Sequence, residues 1–445
     1  MNESGCRWED EKNDGESVHT LDIRTQFPSP QFPVIPVPHD SWRNGMAVRM
    51  PNHLGDAVMA LPALGQLRRI LPEHCALFVI APVGQKALYS SLPIVDGTIL
   101  LERIHSGWSR EEIRNLRRFR LGVGVLFNNS LRDAMTMKLA GVGRLYGAAA
   151  RCRSIFLTRS FHFPPRPVRR LAGIHQSNKC LAMARAMGAP EWDGALPEFE
   201  LAPPVDELFG NITSLCEHPK LLTLASGAAY GAAKRWPSEC FREVARHWIE
   251  NEDGIVVVLG SASEKGIGDE VVEGLRPTKA FNLCGKTWLA ELMHLLKNSR
   301  LTVANDSGIM HLSAALGRPG IAVFGPTDYT ATGPISPAWR LMYRKIDCAP
   351  CFKRECPHRN PRCIRQITPE MVIAEMRKIT ERPDRLWAFA PKERNPISGN
   401  FAQGVGVSSV PGNEKGPEKR SASGPSRSES YLKFSTLGSY PSGAS

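Results

Sequence analysis

The sequence predicts an α/β protein of two doubly wound domains that face a central cleft, flanked by arms without a core of their own. Three observations predict it. Short β-rich apolar runs alternate with segments of helical periodicity, which is the pattern of a parallel sheet wound by helices. The alternation lapses near Pro197 and restarts near Leu221. The 445 residues also exceed the ~250 to 300 at which a single core stops growing, so a second core is required.

The first element, residues 1–45, reads as a disordered arm. It holds four Lys/Arg against eight Asp/Glu and ends in a proline series, Pro28, Pro30, Pro33, Pro36 and Pro38, that favours extended polyproline. A spacer and a ligand for a proline-reading module are both compatible with it. Residues 46–205 read as the first Rossmann-like domain. Strands are expected at Ala47 to Met50, Ala76 to Ala81, Thr98 to Leu101 and Gly122 to Phe127, with helices at Asp56 to Ile70, Arg110 to Phe119 and Leu131 to Ala140. A Pro-containing, acid-flecked stretch from Pro197 to Glu217 separates it from the second domain, 206–385. There, strands at Leu221 to Ala225, Ile255 to Gly260, Leu301 to Asn305 and Ile321 to Phe324 interleave with helices at Ser238 to Asn251, Leu289 to Ser299 and Ile309 to Leu316. A closing helix opens at Thr368-Pro369-Glu370, a hydroxyl cap followed by a first-turn proline and acid, and runs to about Arg382. Residues 386–445 are rich in Gly, Ser and Pro and short of aliphatics, so they read as a disordered tail.

Composition narrows the class. Apolar residues at 42% and charged residues at 22% suit a globular chain, and the longest apolar runs, such as the one around Val256, Val257 and Val258, fall short of the ~18 residues a membrane span needs. The start is acidic, with Glu3, Glu9, Asp10 and Glu11, where a signal peptide would be basic and then apolar, so a cytoplasmic protein is expected. Eleven cysteines then suit buried small hydrophobes or metal ligands better than a disulfide framework. The net charge is +12, and residues 46–385 alone hold 45 basic against 32 acidic residues. Such a surplus suits a phosphorylated ligand, nucleic acid or an anionic membrane surface without choosing among them.

Four segments carry chemistry. In Asn52-His53-Leu54-Gly55-Asp56, between a strand and a helix, Gly55 admits a close partner and Asp56 either aims a carboxylate across the cleft or caps the helix. In Ser226 to Pro237, small residues and two glycines precede Lys234 and Arg235; the loop suits a phosphate, although the Walker spacing is absent and a solvated cation pair reads equally well. In Ala304 to Leu312, Ser307 and the amides opening a helix suit an anion, Asp306 suits sugar or ribose hydroxyls, and His311 is a ligand contact or a core histidine. The turn that follows the next strand brings Gly325 and Thr327 to the same rim. Last, Cys348, Cys351, Cys356 and Cys363 crowd into sixteen residues, as tetrahedral metal ligands or as a packed or redox-sensitive cluster. The cluster is expected to be structural, being remote in sequence from the Asp56 and Asp306 loops.

Together these segments resemble glycosyltransferase family 9, the ADP-heptose-dependent heptosyltransferases of lipopolysaccharide assembly. The matching pieces are HLGDAVMALPAL at 53–64, AKRWPSECF at 233–241, ANDSGIMHLSAALGRPGIAVFGPTD at 304–328, and CAPCFKRECP with Cys363 at 348–363, the last similar to the heptosyltransferase II subgroup. The resemblance implies a GT-B fold, with acceptor on the first domain and donor on the second. It implies Asp56 as catalytic base, Lys234 on the donor phosphates, and Asp306, Ser307, Gly308 and His311 on the donor. By position it implies Glu264 on the ribose and Thr287 near the adenine. Ala229 and Tyr230 stand where some members place threonines. The activity implied is inverting transfer of heptose from ADP-heptose to an anionic lipopolysaccharide-core lipid at the cytoplasmic face of the inner membrane, with no cofactor and no catalytic metal.

Three other readings stand beside it. A family 9 transferase could use another nucleotide sugar or core acceptor. A sugar-nucleotide epimerase would need a different acid/base set. A nucleic-acid-binding protein built on the basic Cys-rich segment would need stacking aromatics, and Phe352 is the sole one inside the cluster.

Overall fold

A computed structural model describes residues 18–19, 32–104, 107–164, 174–203 and 206–381. Among these the chain forms two sheets. The first contains β2 (Gly45–Arg49), β3 (Ala76–Pro82), β4 (Gly97–Leu101), β5 (Val123–Leu126), β6 (Arg144–Ala148) and β7 (Arg159–Phe161), all parallel, in the spatial order β4-β3-β2-β5-β6-β7. The second contains β8 (Leu221–Ala225), β9 (Ile255–Val258), β10 (Ala280–Asn282), β11 (Leu301–Asn305), β12 (Gly320–Val323) and β13 (Trp339–Met342). Its order is β13-β12-β11-β8-β9-β10, and β1 (Val18–His19) adds antiparallel to the β13 edge. Counted within each sheet, both parallel orders are 3-2-1-4-5-6, the dinucleotide-fold order. The expected GT-B arrangement of two Rossmann-like halves is therefore the observed one.

The order locates the site. The order in which strands are added reverses between the parallel neighbours β2 and β5 in the first sheet and β8 and β11 in the second. Ligands of such sheets lie beyond the carboxyl ends of the strands at these switch points. The loops after β2, β8 and β11 hold the Asp56, Lys234 and Asp306 segments, three of the four that carry chemistry. The central strands β2, β5, β8, β9, β11 and β12 are buried at every residue, as sheets covered on both faces require; they are mostly apolar, and their polar residues Arg49, Thr223, Thr302 and Asn305 are hydrogen-bonded. One apolar cluster runs through both halves, including Leu61 and Leu64 of the first and Leu292, Leu296 and Leu312 of the second.

Several expectations are corrected. The helix expected at Asp56 to Ile70 is two helices, Leu54–Met59 and Leu61–Ile70, broken at Ala60. Pro62 has no amide to give and its ring opposes the carbonyl four residues back. The stretch read as irregular up to Glu217 contains the helix Asp206–Glu217. The arm 1–45 is not disordered over 32–45. Phe32 packs on Phe161 and Phe163 at 5.2 and 5.1 Å, the Ile35 and Val37 amides donate to Ala186 and Met187, and Val37 and Trp42 are buried. The prolines that suggested a free spacer preset an extended backbone, which lowers the entropy lost when the arm docks. The rest of that arm, apart from β1, and the tail 386–445 lie outside the described residues. Among the described residues no helix is long and apolar enough to cross a membrane.

Candidate functional site

In the second half, the loop after β8 is tied to the end of β11 by Asn305. Its side chain donates to the Ser226 carbonyl at 2.7 Å and accepts from the Trp236 amide at 3.0 Å. This fixes Lys234, on the short turn Ala232–Lys234, over the carboxyl end of β11. There its ammonium meets Asp306 at 2.5 Å, and both side chains are about nine-tenths buried. Thr327 donates to the same Asp306 oxygen at 2.7 Å. The structure thus gives Lys234 and Asp306, which the sequence assigned to phosphate and to hydroxyls separately, one shared contact. Tyr230 lies between two cations, with Lys234 Nζ 4.8 Å and the Arg354 guanidinium 5.4 Å from its ring. Asn305 and Tyr230 were missed as site residues, because neither spacing nor charge marks them before the strands are adjacent.

Glu264 sits just past β9, where its Oε2 accepts from the Ser261 amide and hydroxyl at 2.7 and 2.8 Å. Its carboxyl group lies against Gly227: a Cβ added there would stand 2.0 Å from Oε1, so a larger residue must displace the carboxylate. Thr287 follows Gly285, whose amide bonds Gly260 at 2.9 Å and whose backbone abuts Ala262. Glu264 therefore stands beside the β8 loop, and the Gly260–Gly285 bond ties the segment before Thr287 to the end of the β9 region.

The helix Gly308–Ala315 opens at Ser307, whose side chain makes no cap bond. Ser307 Oγ and His311 Nδ1, one helical turn apart, are buried without a hydrogen-bond partner among the described residues. Such atoms are costly unless something satisfies them. Burial pushes the His311 pKa down to about 4; Asp306 opposes this, and His175 and Lys234 add to it, so the ring is neutral near pH 7. His175 is held likewise: Nε2 donates to the Gly333 carbonyl, Nδ1 accepts from the Ser177 amide, and burial brings its pKa to about 4.

The Asp56 loop meets this helix head-on. A Cβ on Gly55 would stand 3.1 Å from His311 Cδ2 and 3.5 Å from Gly308 Cα, and one on Gly308 would stand 3.3 Å from the Gly55 amide nitrogen. The two glycines let the first turns of both helices touch, which brings the carboxyl ends of the two sheets together. His53, not Asp56, is the N-cap residue of Leu54–Met59, and Asp56 stands in its first turn. Its charge reaches the helix Ser177–Ala186, where Cys180 is held near 12, chiefly by burial and in part by Asp56. His53 is exposed.

The four cysteines line one cavity of about 40 Å³ together with Ala233 and Pro326. Burial, then the neighbouring Cys351, Cys348 and Cys356, push the Cys363 thiol up to about 11. Among the described residues no three His, Cys, Asp or Glu stand in an arrangement that would hold a metal ion. Far in sequence from the Asp56 and Asp306 loops, the segment nevertheless lies against the β8 loop. The segment braces the loops after β8 and β12: the Ala233 amide bonds Arg354 at 3.0 Å, Tyr230 OH bonds the Phe352 carbonyl at 2.7 Å, and the Phe352 amide bonds Pro326 at 2.8 Å.

Residues 111–361 match the profile of glycosyltransferase family 9 (heptosyltransferase), more than half of the chain. The chain belongs to glycosyltransferase family 9. Among its family 9 relatives, the lipooligosaccharide heptosyltransferase 2 of Campylobacter jejuni is 26% identical over 341 residues, covering 75% of this chain and 98% of that one. The lipopolysaccharide heptosyltransferase 2 of Escherichia coli K12 is 27% identical over 339 residues, covering 73% and 95%. The solved structure of the E. coli ADP-heptose lipopolysaccharide heptosyltransferase II shares the fold, with a TM-score of 0.62 at 23% identity, covering 76% of this chain and 99% of that one.

Proposed function

We propose that this family 9 enzyme is an inverting heptosyltransferase that moves heptose from ADP-heptose to the lipopolysaccharide inner core. The observation that carries the proposal is the Gly55–Gly308 contact, which sets a carboxylate-bearing helix turn of one half against an anion-suited helix start of the other. The names of the relatives that align over almost their whole length supply the substrate class.

The geometry supports a division of labour between the halves. Asp56 takes the proton of an acceptor hydroxyl, because an alcohol is a poor nucleophile until deprotonated. The acceptor oxygen then bonds the anomeric carbon from the face opposite the nucleotide as the bond to the diphosphate oxygen breaks, which inverts the centre. Negative charge collects on the departing ADP. Lys234 and the amides opening the Gly308–Ala315 helix stabilise it, and Asp306 and Thr327 hold the lysine in place. Ser307 Oγ and His311 Nδ1 offer the donor two buried polar atoms, while Glu264 and Thr287 wall the nucleoside side. The first half holds the acceptor, and the enzyme works at the cytoplasmic membrane face where a lipid-linked acceptor is presented.

Incubating the full chain with ADP-heptose, and separately with UDP- and GDP-sugars, beside a heptose-containing lipid acceptor tests this by mass spectrometry. A mass gain of one heptose from ADP-heptose, with inverted anomeric configuration by NMR, is expected. Transfer only from a UDP- or GDP-sugar would overturn the donor assignment.

A further inference from the structure

Residues 110–159 of the first half present a surface the reaction does not use. The helix Leu131–Leu139 packs its inward face into a core with Ala134 and Met137. Its exposed residues are Leu131, Arg132, Met135, Lys138 and Leu139, spaced so that all five share one side. Three are large and apolar, Leu139 being 64% exposed, two are cations, and none is an acid. Ile155, 83% exposed, extends the stripe from the neighbouring turn Arg153–Phe156. The adjacent helix Arg110–Arg118 turns Arg110, Arg114, Arg117 and Arg118 outward against one exposed acid, Glu111. The two helices are joined where Arg117 donates to the Leu139 carbonyl at 3.0 Å.

We propose that this face docks the enzyme on an anionic lipid bilayer, with Leu131, Met135, Leu139 and Ile155 entering the headgroup boundary and the arginines lying over the lipid charges. The inference rests on the proposed lipid-linked acceptor and names the surface that meets its membrane. An apolar stripe flanked by cations is what an interfacial element needs: apolar area to bury and positive charge to be drawn in. A second copy of the chain is a poor occupant, since an isologous contact would press arginines against arginines. Nucleic acid would use the cations but leave the leucines without a role. The placement is also productive. Leu131 follows the carboxyl end of β5 and Ile155 that of β6, so the stripe begins at the same sheet edge as the Asp56 loop.

Co-sedimentation of the full chain with phosphatidylethanolamine/phosphatidylglycerol vesicles, against phosphatidylcholine vesicles, at low and high salt, tests the proposal. Binding to the anionic vesicles that weakens with salt is expected. Met135→Glu/Leu139→Glu and Arg114→Glu/Arg118→Glu should each lower the partition coefficient roughly tenfold or more. ADP affinity, and transfer to a deacylated water-soluble acceptor, should stay at wild-type values. The arginine pair lies wholly on the solvent side, so it carries the test even where the apolar pair fails to fold. Unchanged vesicle binding in the arginine variant, equal binding to neutral vesicles, or a dimer that the apolar variant splits would each overturn the proposal, as would nucleic-acid binding that displaces the vesicles. Failure of transfer to both acceptors in wild-type enzyme would instead sink the heptosyltransferase reading and leave the docking result standing.

Discussion

Replacing Lys234 by Met keeps the unbranched stem, one atom shorter, and removes the charge, and the surroundings of the lysine set the consequence. Lys234 and Asp306 are paired at 2.5 Å with only about a tenth of either side chain exposed. Breaking such a pair from one side leaves a buried carboxylate supported by the Thr327 hydroxyl alone, at a cost of ~3 to 5 kcal/mol. Asp306→Asn removes the opposing charge instead. The double variant Lys234→Met/Asp306→Asn leaves no uncompensated charge, so it should recover most of the loss, with a coupling energy of ~1.5 kcal/mol or more by urea denaturation. Binding separates from stability. A charge-assisted contact to phosphate is worth ~1.5 to 3 kcal/mol, so calorimetry should show ADP affinity about ten- to a hundred-fold weaker in both variants that lack the lysine. In Asp306→Asn, which keeps it, ADP affinity should hold while transfer falls. Strictly additive stability losses would refute the pairing as an energetic unit. Unchanged ADP affinity in Lys234→Met would refute the phosphate role.

The same geometry sets three further outcomes. Asp56→Asn should lower kcat ~10²- to 10⁴-fold with ADP affinity nearly intact, and His53→Ala should remain active; the reverse pattern in steady-state kinetics would move the base to His53. Gly227→Ala places a methyl 2.0 Å from Glu264 Oε1, so the carboxylate must leave its Ser261 bonds, and the donor KM should rise more than kcat falls. Both His311 and His175 have folded pKa values of about 4, below the ordinary ~6.5. The unfolded chain therefore takes up protons first as pH falls, so this stability is complete above pH ~6.5 and drains away toward 4. Urea midpoints across that window should fall less steeply in His311→Gln, and an identical slope would show that the buried ring is not responsible.

Much of the frame was legible in the chain. Leu221–Ala225, Leu301–Asn305 and Ser238–Asn251 are predicted to the residue, because a strand covered on both faces is mostly apolar along its length and an amphipathic helix repeats every turn. The loops of the site were legible too, since small residues, an acid or a hydroxyl after a strand mark where backbone meets ligand. Strands such as β6, β7, β10 and β13 were not. Each carries a polar residue, Arg144, Arg159, Asn282 or Arg340, and becomes a strand by pairing with a neighbour already in place.

The sequence by itself determined the class, two wound sheets with an anion-suited loop after β8 and a helix start after β11, because propensity, periodicity and turn chemistry act over a few residues. The tertiary structure decided how those pieces combine. Lys234 and Asp306, 72 residues apart, become one ion pair because β8 and β11 are adjacent at the switch point. Gly55 and Gly308 become the junction of the two halves because neither has a side chain to hold the helices apart. The cysteine segment, remote along the chain, becomes the brace behind Lys234 because its backbone completes the hydrogen bonds of Ala233 and Pro326. Those contacts join groups far apart in sequence, and only the packing of the finished sheets brings them within bonding distance.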